Sequence, residues 1–263
     1  MNPFWLAVIV TTLAGLSTGI GGFFAFDKRT NNKKFLSFAL GLSAGVMIYV
    51  SFIEIFPKAF ASLSEVFSEG EAYFFTTLAF FIGLGLIAFI DFLIPKQHNP
   101  HELIAGLDKV ESDKQNLLRL GIFTAIAIAL HNFPEGLATF LATLEEPNVG
   151  IAIAIAIAIH NIPEGIAVAI PIYFATNSRK KGIFWAFLSG LAEPIGAFVG
   201  IALLWPFIND YTFGFLFAAV AGIMVYISLD ELLPAAEKYG EHHISIMGLV
   251  SGMLIMALSL IIL

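Results

Sequence analysis

The sequence predicts an all-α integral membrane protein of eight transmembrane helices, and three observations predict it. The 263 residues are 58% hydrophobic and only 13% charged, with a mean hydropathy of +0.88, beyond what a domain with a solvated surface carries. Apolar runs near the roughly 20 residues that cross about 30 Å of hydrocarbon fall at 3–26, 35–57, 72–94, 117–144, 149–175, 182–206, 211–236 and 243–263. Runs of that length exceed the roughly 10-residue alternating segments of a membrane barrel. Residues 1–263 therefore read as one transmembrane unit whose expected partner is the lipid bilayer, with no nucleic-acid partner.

Taken in order, span one lacks both a basic stretch ahead of it and a small-residue cleavage pattern, so it reads as a retained helix rather than a signal peptide. Spans two and three follow a basic loop and an acidic one. Span four carries the first polar motif discussed below, and span five its near-copy. The stretch 151–159 alternates Ile and Ala as a strand would, but it continues unbroken to 175, and length decides for a buried helix. Its alanines permit close helix packing. Spans six to eight complete the set with short loops. With zero cysteines, neither a disulfide framework nor a thiolate metal site is available.

Basic residues give the orientation. Lys28, Arg29, Lys33 and Lys34 follow span one; Lys96, Lys109, Lys114 and Arg119 follow span three; Arg179, Lys180 and Lys181 follow span five; and Lys238 follows span seven. Lys58 alone falls on the opposite side. The positive-inside rule then places both termini outside, in a cell (inner or plasma) membrane. The outer loops carry Glu65, Glu69, Glu71, Glu145, Glu146 and Asp210, which either concentrate cations at a mouth or are ordinary solvated loops.

Internal repeats organise the chain. HNFPEG from His131 in span four recurs as HNIPEG from His160 in span five. GVMIYVSFIEIFPKA from Gly45 in span two matches GIMVYISLDELLPAA from Gly222 in span seven at seven of fifteen positions, among them Met47/Met224, Glu54/Glu231 and Pro57/Pro234. LAGLSTGIGGFF from Leu13 in span one matches LSGLAEPIGAFV from Leu188 in span six at six of twelve. In the derived orientation each pair runs in opposite directions. Spans one to three thus read as an inverted copy of six to eight, with four and five as an inverted pair between them, which is transporter architecture.

The chemistry lies in the polar residues of the middle spans. Glu135, Glu164 and Glu193 at membrane depth would together cost on the order of 8 to 10 kcal/mol uncompensated, and no Lys or Arg lies there to pair them. A bound cation is the natural counter-charge. His131 and Glu135 are four residues apart, hence on one helix face, and His160 and Glu164 repeat the spacing. Imidazole nitrogen with carboxylate and amide oxygen suits Zn²⁺, and also Fe²⁺, Mn²⁺ or Co²⁺. Pro134, Pro163 and Pro194 leave the carbonyls of Leu130, Ile159 and Gly190 without helical partners, tolerable at this depth only beside a cavity. A polar pocket at mid-bilayer is expected. The ligands must be deprotonated to bind, so acid should weaken binding. Met47 offers a thioether to a passing ion or simply fills core. Glu54 and Glu231 sit near the ends of their spans, where an interfacial role suffices. His98, His101, His242 and His243 either receive released metal or are ordinary surface histidines.

These residues resemble the ZIP (Zrt-, Irt-like protein) family, and the two HNxPEG motifs with LAEP from Leu191 look like its bacterial zinc uptake permease branch. The resemblance covers essentially the whole chain. It implies uptake of divalent metal toward the cytoplasm, a binuclear site between spans four, five and six, and a homodimer. By motif, His131, Glu135, His160 and Glu164 resemble the ligands of the zinc-type site. Asn132, Asn161 and Glu193, with Glu135 and Glu164 bridging, resemble a second site that this branch associates with iron. Many relatives carry a histidine-rich loop after span three, where this chain has only two histidines, so a sensing role for that loop does not carry over. No catalytic cofactor is expected. The rival class, an intramembrane zinc hydrolase, needs an open water position and a general base, yet HExxH is absent and inverted repeats serve no hydrolase.

Overall fold

The computed structural model describes residues 2–23, 33–93, 109–145, 147–204, 209–239 and 241–262, and among them there is helix and no strand. The helices are α1 (Pro3–Phe23), α2 (Lys33–Val50), α3 (Phe56–Ser64), α4 (Glu69–Leu93), α5 (Lys109–Glu145), α6 (Pro147–Thr176), α7 (Arg179–Gly190), α8 (Ala192–Val199), α9 (Asp210–Tyr226), α10 (Leu233–Tyr239) and α11 (His242–Ile262). They form eight spans long and apolar enough to cross a bilayer, as expected from the apolar runs. Spans two, six and seven are composite: α2 continues into α3, α7 into α8, and α9 into α10.

Span two differs from expectation. The apolar run ends at Pro57, but the helical span runs Lys34–Ser64. Proline breaks an α-helix because it lacks an N–H and its ring meets the carbonyl four residues back. Here the backbone widens just before the ring, into a π-helical turn at Ser51–Ile55, and the helix survives. Span seven repeats the device, with a π-turn at Ile227–Leu232 ahead of Pro234. A third π-turn, Gly200–Leu204, ends two residues before Pro206, which lies outside the described residues. By contrast α5 and α6 run unbroken through Pro134, Pro163 and Pro171.

Two groups of spans pack as units. Spans one, four, five and six form one, through α1 on α6, α5 on α6, α5 on α8 and α1 on α7; spans two, three, seven and eight form the other, through α2 on α11 and α4 on α9. These groups cut across the sequence repeats instead of coinciding with them. The groups meet chiefly where α2 lies on α6 and α9 on α5. Glycines allow the close approaches within the first group: a methyl on Gly15 would strike the Gly190 carbonyl, and one on Gly190 the Gly15 carbonyl. Met47 and Met224 are fully buried in one large apolar cluster that joins spans two, three, seven and eight to residues of α5 and α6, so Met47 packs as core. Large apolar side chains of spans three and eight, Phe81 and Leu254 among them, are exposed on the outer surface, as helices facing lipid should be.

The ends are fixed locally. Asn177 takes a positive φ of 51°, a conformation asparagine tolerates, and turns α6 into α7 within two residues. Asn209 and Thr212 form a reciprocal capping box at the start of α9, satisfying amide donors that helix ends leave open.

Candidate metal centre

The two HNxPEG copies lie on α5 and α6, which pack side by side, and Glu193 lies in the first turn of α8. Leu191 joins α7 to α8 in a helical conformation, its amide donating to the Phe187 carbonyl and its own carbonyl accepting from the Ile195 amide. His131, Asn132, Asn161, Glu164 and Glu193 are fully buried and Glu135 is 5% exposed. His160 is on α6, but its side chain lies outside the described residues.

Among the described residues, contacts join these side chains across helices. His131 Nε2 of span four lies 3.1 Å from Glu164 Oε1 of span five. Asn161 Nδ2 donates to Glu193 Oε1 of span six and, at 3.0 Å, to the backbone carbonyl of Ala14 in span one. The Ala14 carbonyl is a partner that side-chain motifs could not reveal. Its approach depends on glycine: a methyl on Gly165 would collide with the Thr18 carbonyl, and one on Gly21 with the Ile162 carbonyl.

The same helices leave donors over. Among the described residues, Glu164 Oε2, Asn161 Oδ1 and both side-chain polar atoms of Asn132 have no hydrogen-bond partner. A buried polar atom without one costs about 1–3 kcal/mol, and three of these four, Glu164 Oε2, Asn161 Oδ1 and Asn132 Oδ1, are oxygens of the kind that meet hard and borderline cations. Among the described residues no group of three His, Asp or Glu side chains is arranged to hold an ion. The described contacts join His131 to Glu164 and Asn161 to Glu193.

Glu135 also borders open space. It lines a cavity of about 150 Å³ between the two groups of spans, with Ala138 and Ala142 beside it on α5, Val50, Glu54 and Lys58 on span two, and Phe213 and Phe217 on α9. This cavity is apolar-walled, with its charges at Glu135, Glu54 and Lys58. Glu54 is not at a span end: it belongs to the π-turn inside span two, and its side chain is 18% exposed. Glu231, its repeat partner, is 2% exposed within span seven. His242 Nδ1 lies 2.7 Å from Glu237 Oε1 at an exposed position, whereas His98 and His101 lie outside the described residues.

Asn161→Ala is expected to lower the melting temperature by about 2 to 10 °C, because Glu193 loses a buried donor and the Ala14 carbonyl its partner. Intrinsic tryptophan fluorescence in detergent measures it; a change below about 1 °C would show that this contact does not hold the three spans together.

Comparison with known proteins bears on this geometry. The family model for ZIP zinc transporters matches residues 95–260. The chain is 58% identical over 271 residues to the zinc transporter ZupT of Oceanobacillus iheyensis, with 100% of each chain covered. It is 58% identical over 255 residues to the ZupT of Streptococcus mutans, covering 97% of this chain and 96% of the relative. The ZupT of Clostridium perfringens is 51% identical over 277 residues, with 99% and 97% covered.

Proposed function

The chain belongs to the ZIP zinc transporter family, and we propose that it takes up Zn²⁺ across the membrane through the buried His/Asn/Glu centre between spans four, five and six. The observation that carries this is the His131–Glu164 contact: two repeated motifs meet at membrane depth, fully buried, with donor atoms left over on Glu164, Asn161 and Asn132. An arriving ion takes the place of side-chain contacts. His131, Glu135, His160 and Glu164 supply one ligand set, and Asn132, Asn161 and Glu193 extend it. Fe²⁺, Mn²⁺ and Co²⁺ fit the same donors.

Residues 1–263 act as one transport unit built on an inverted repeat. Packing supports that symmetry. The aligned residues Gly15 and Gly190 touch each other, and the contacts of Gly21 with Ile162 and Gly165 with Thr18 recur between the aligned partners Gly196 with Phe133 and Gly136 with Glu193. Span two on span eight likewise mirrors span seven on span three. All seven proposed ligands lie on one group of spans, and the cavity lies where that group meets the other. The ion enters from the acidic side, at which both termini lie by the charge rule, and leaves inward when the groups shift. A hydrolase reading has no support in the relatives' names, which are those of transporters.

The test is zinc influx into vesicles holding the purified protein and an internal zinc-sensitive dye. Influx above empty vesicles is expected. Binding without influx would overturn transport in favour of a sensor, and product formation from a hydrolysable substrate in favour of an enzyme.

A further inference from the structure

The cavity that ends on Glu135 has a graded exposure on each of its four walls. On span two it runs from fully buried Val50 through Glu54 to exposed Lys58; on α5 from Glu135 to half-buried Ala142; on α6 from Ile157 to Ile153; on α9 from Phe217 to Phe213. Lys58 therefore marks the mouth and Glu135 the floor, with Glu54 one helical turn inside the mouth. Apart from these three the lining is Val, Ile, Ala and Phe, a low-dielectric wall that concentrates the field of any charge it surrounds.

A fixed positive charge at the mouth of a cation path opposes influx unless something neutralises it. Lys58 Nζ lies 2.7 Å from Glu54 Oε1, with the ammonium side chain 46% exposed and the carboxylate side chain 18%. Lys58 is also the one basic residue that the chain's charge distribution puts on that side. The nearby acids do not substitute for Glu54: Glu71, for example, is held by the Ser68 amide and hydroxyl at the start of α4.

We propose that Glu54 is a capture site for divalent cations and that Lys58 is its built-in competitor, a tethered monovalent cation that closes the site until a divalent ion displaces it. This rests on the transport reading above. An exposed ion pair of this kind shifts an equilibrium by no more than about fivefold, so a doubly charged ion displaces the ammonium readily. The released Lys58 swings to solvent on its flexible stem, and the captured ion shares the cavity with Glu135. The π-turn Ser51–Ile55 gives Glu54 this placement, in keeping with the association of such turns with functional sites.

The chain contains no cysteine, so charge at position 58 can be switched chemically on one folded protein. Lys58→Cys in vesicles is measured for zinc influx before and after methanethiosulfonate reagents that attach an ethylammonium or an ethylsulfonate. Removing the positive charge is expected to lower KM about threefold to fivefold. The ethylammonium adduct, a near copy of lysine, restores the wild-type KM, and the ethylsulfonate adduct keeps it low. Glu54→Gln, which leaves Lys58 facing the cavity unopposed, raises KM by a similar factor, and adding Lys58→Gln to it returns KM toward wild type. Wild-type influx with a KM indifferent to charge at position 58 would overturn the capture site alone. Absence of wild-type influx would overturn the transport reading, and the capture site with it.

Discussion

Glu164→Ala is expected to abolish zinc influx, to less than about 1% of wild type, since losing even an outer-shell partner of a metal ligand costs about 10- to 100-fold. Glu164 is fully buried, with one oxygen 3.1 Å from His131 Nε2 and the other without a hydrogen-bond partner among the described residues. It is thus the carboxylate that already engages the opposite motif and still holds an unused donor atom. Alanine also removes volume, and a collapsed core would stop transport without any role for the charge. Glu164→Gln separates the two, because it keeps the shape and one oxygen but not the charge. It is expected to melt within a few degrees of wild type yet lose influx to nearly the same extent. Zinc at a hundredfold excess over its Kd stabilises a protein that binds it only when folded by about 2.7 kcal/mol; wild type should show that rise in melting temperature and both variants should not. Influx retained in Glu164→Gln would remove Glu164 from the site.

The membrane spans and the site-bearing helices were legible because hydropathy and motif are local properties of the chain. Burial of His131, Asn132, Glu135, Asn161, Glu164 and Glu193 follows from their place in apolar runs, and the structure has them buried. What was not legible depended on backbone or on partners distant in sequence. The Ala14 carbonyl that accepts from Asn161 carries no side-chain signal. The π-turns before Pro57 and Pro234 could not be read from a proline alone, since proline says only that the α-pattern must give way, and it is the π-turn that carries span two past Pro57 and leaves Glu54 inside it. The repeats were visible as identities, but the spans that pack together, one with five and four with six, are set by which glycines face which carbonyls. The sequence repeat is also imperfect where it matters: Thr18 stands in span one at the position aligned with Glu193 of span six, so span one brings no carboxylate there.

Gly165→Ala is expected to destabilise the protein by about 1–3 kcal/mol, while Gly85→Ala, the same change in another span, leaves it unchanged or stabilises it by up to about 1 kcal/mol. Alanine is the better helix former, so propensity alone predicts a gain at both positions. The surroundings reverse the sign at one of them. A methyl on Gly165 meets the Thr18 carbonyl oxygen and comes within 3.1 Å of the Gly21 Cα, both backbone atoms of span one. Neither can rotate away, so α1 and α6 must part. At Gly85 nothing lies within 4 Å of the added carbon. Separation of α1 from α6 also draws the Ala14 carbonyl off Asn161, loosening the donor that holds Glu193, so zinc influx should fall together with stability in Gly165→Ala. Thermal unfolding followed by tryptophan fluorescence, with influx measured on the same preparations, checks both. Equal melting temperatures for the two variants would mean that the close approach of spans one and five does not hold the centre together, and the site would then owe its geometry to spans four and six alone.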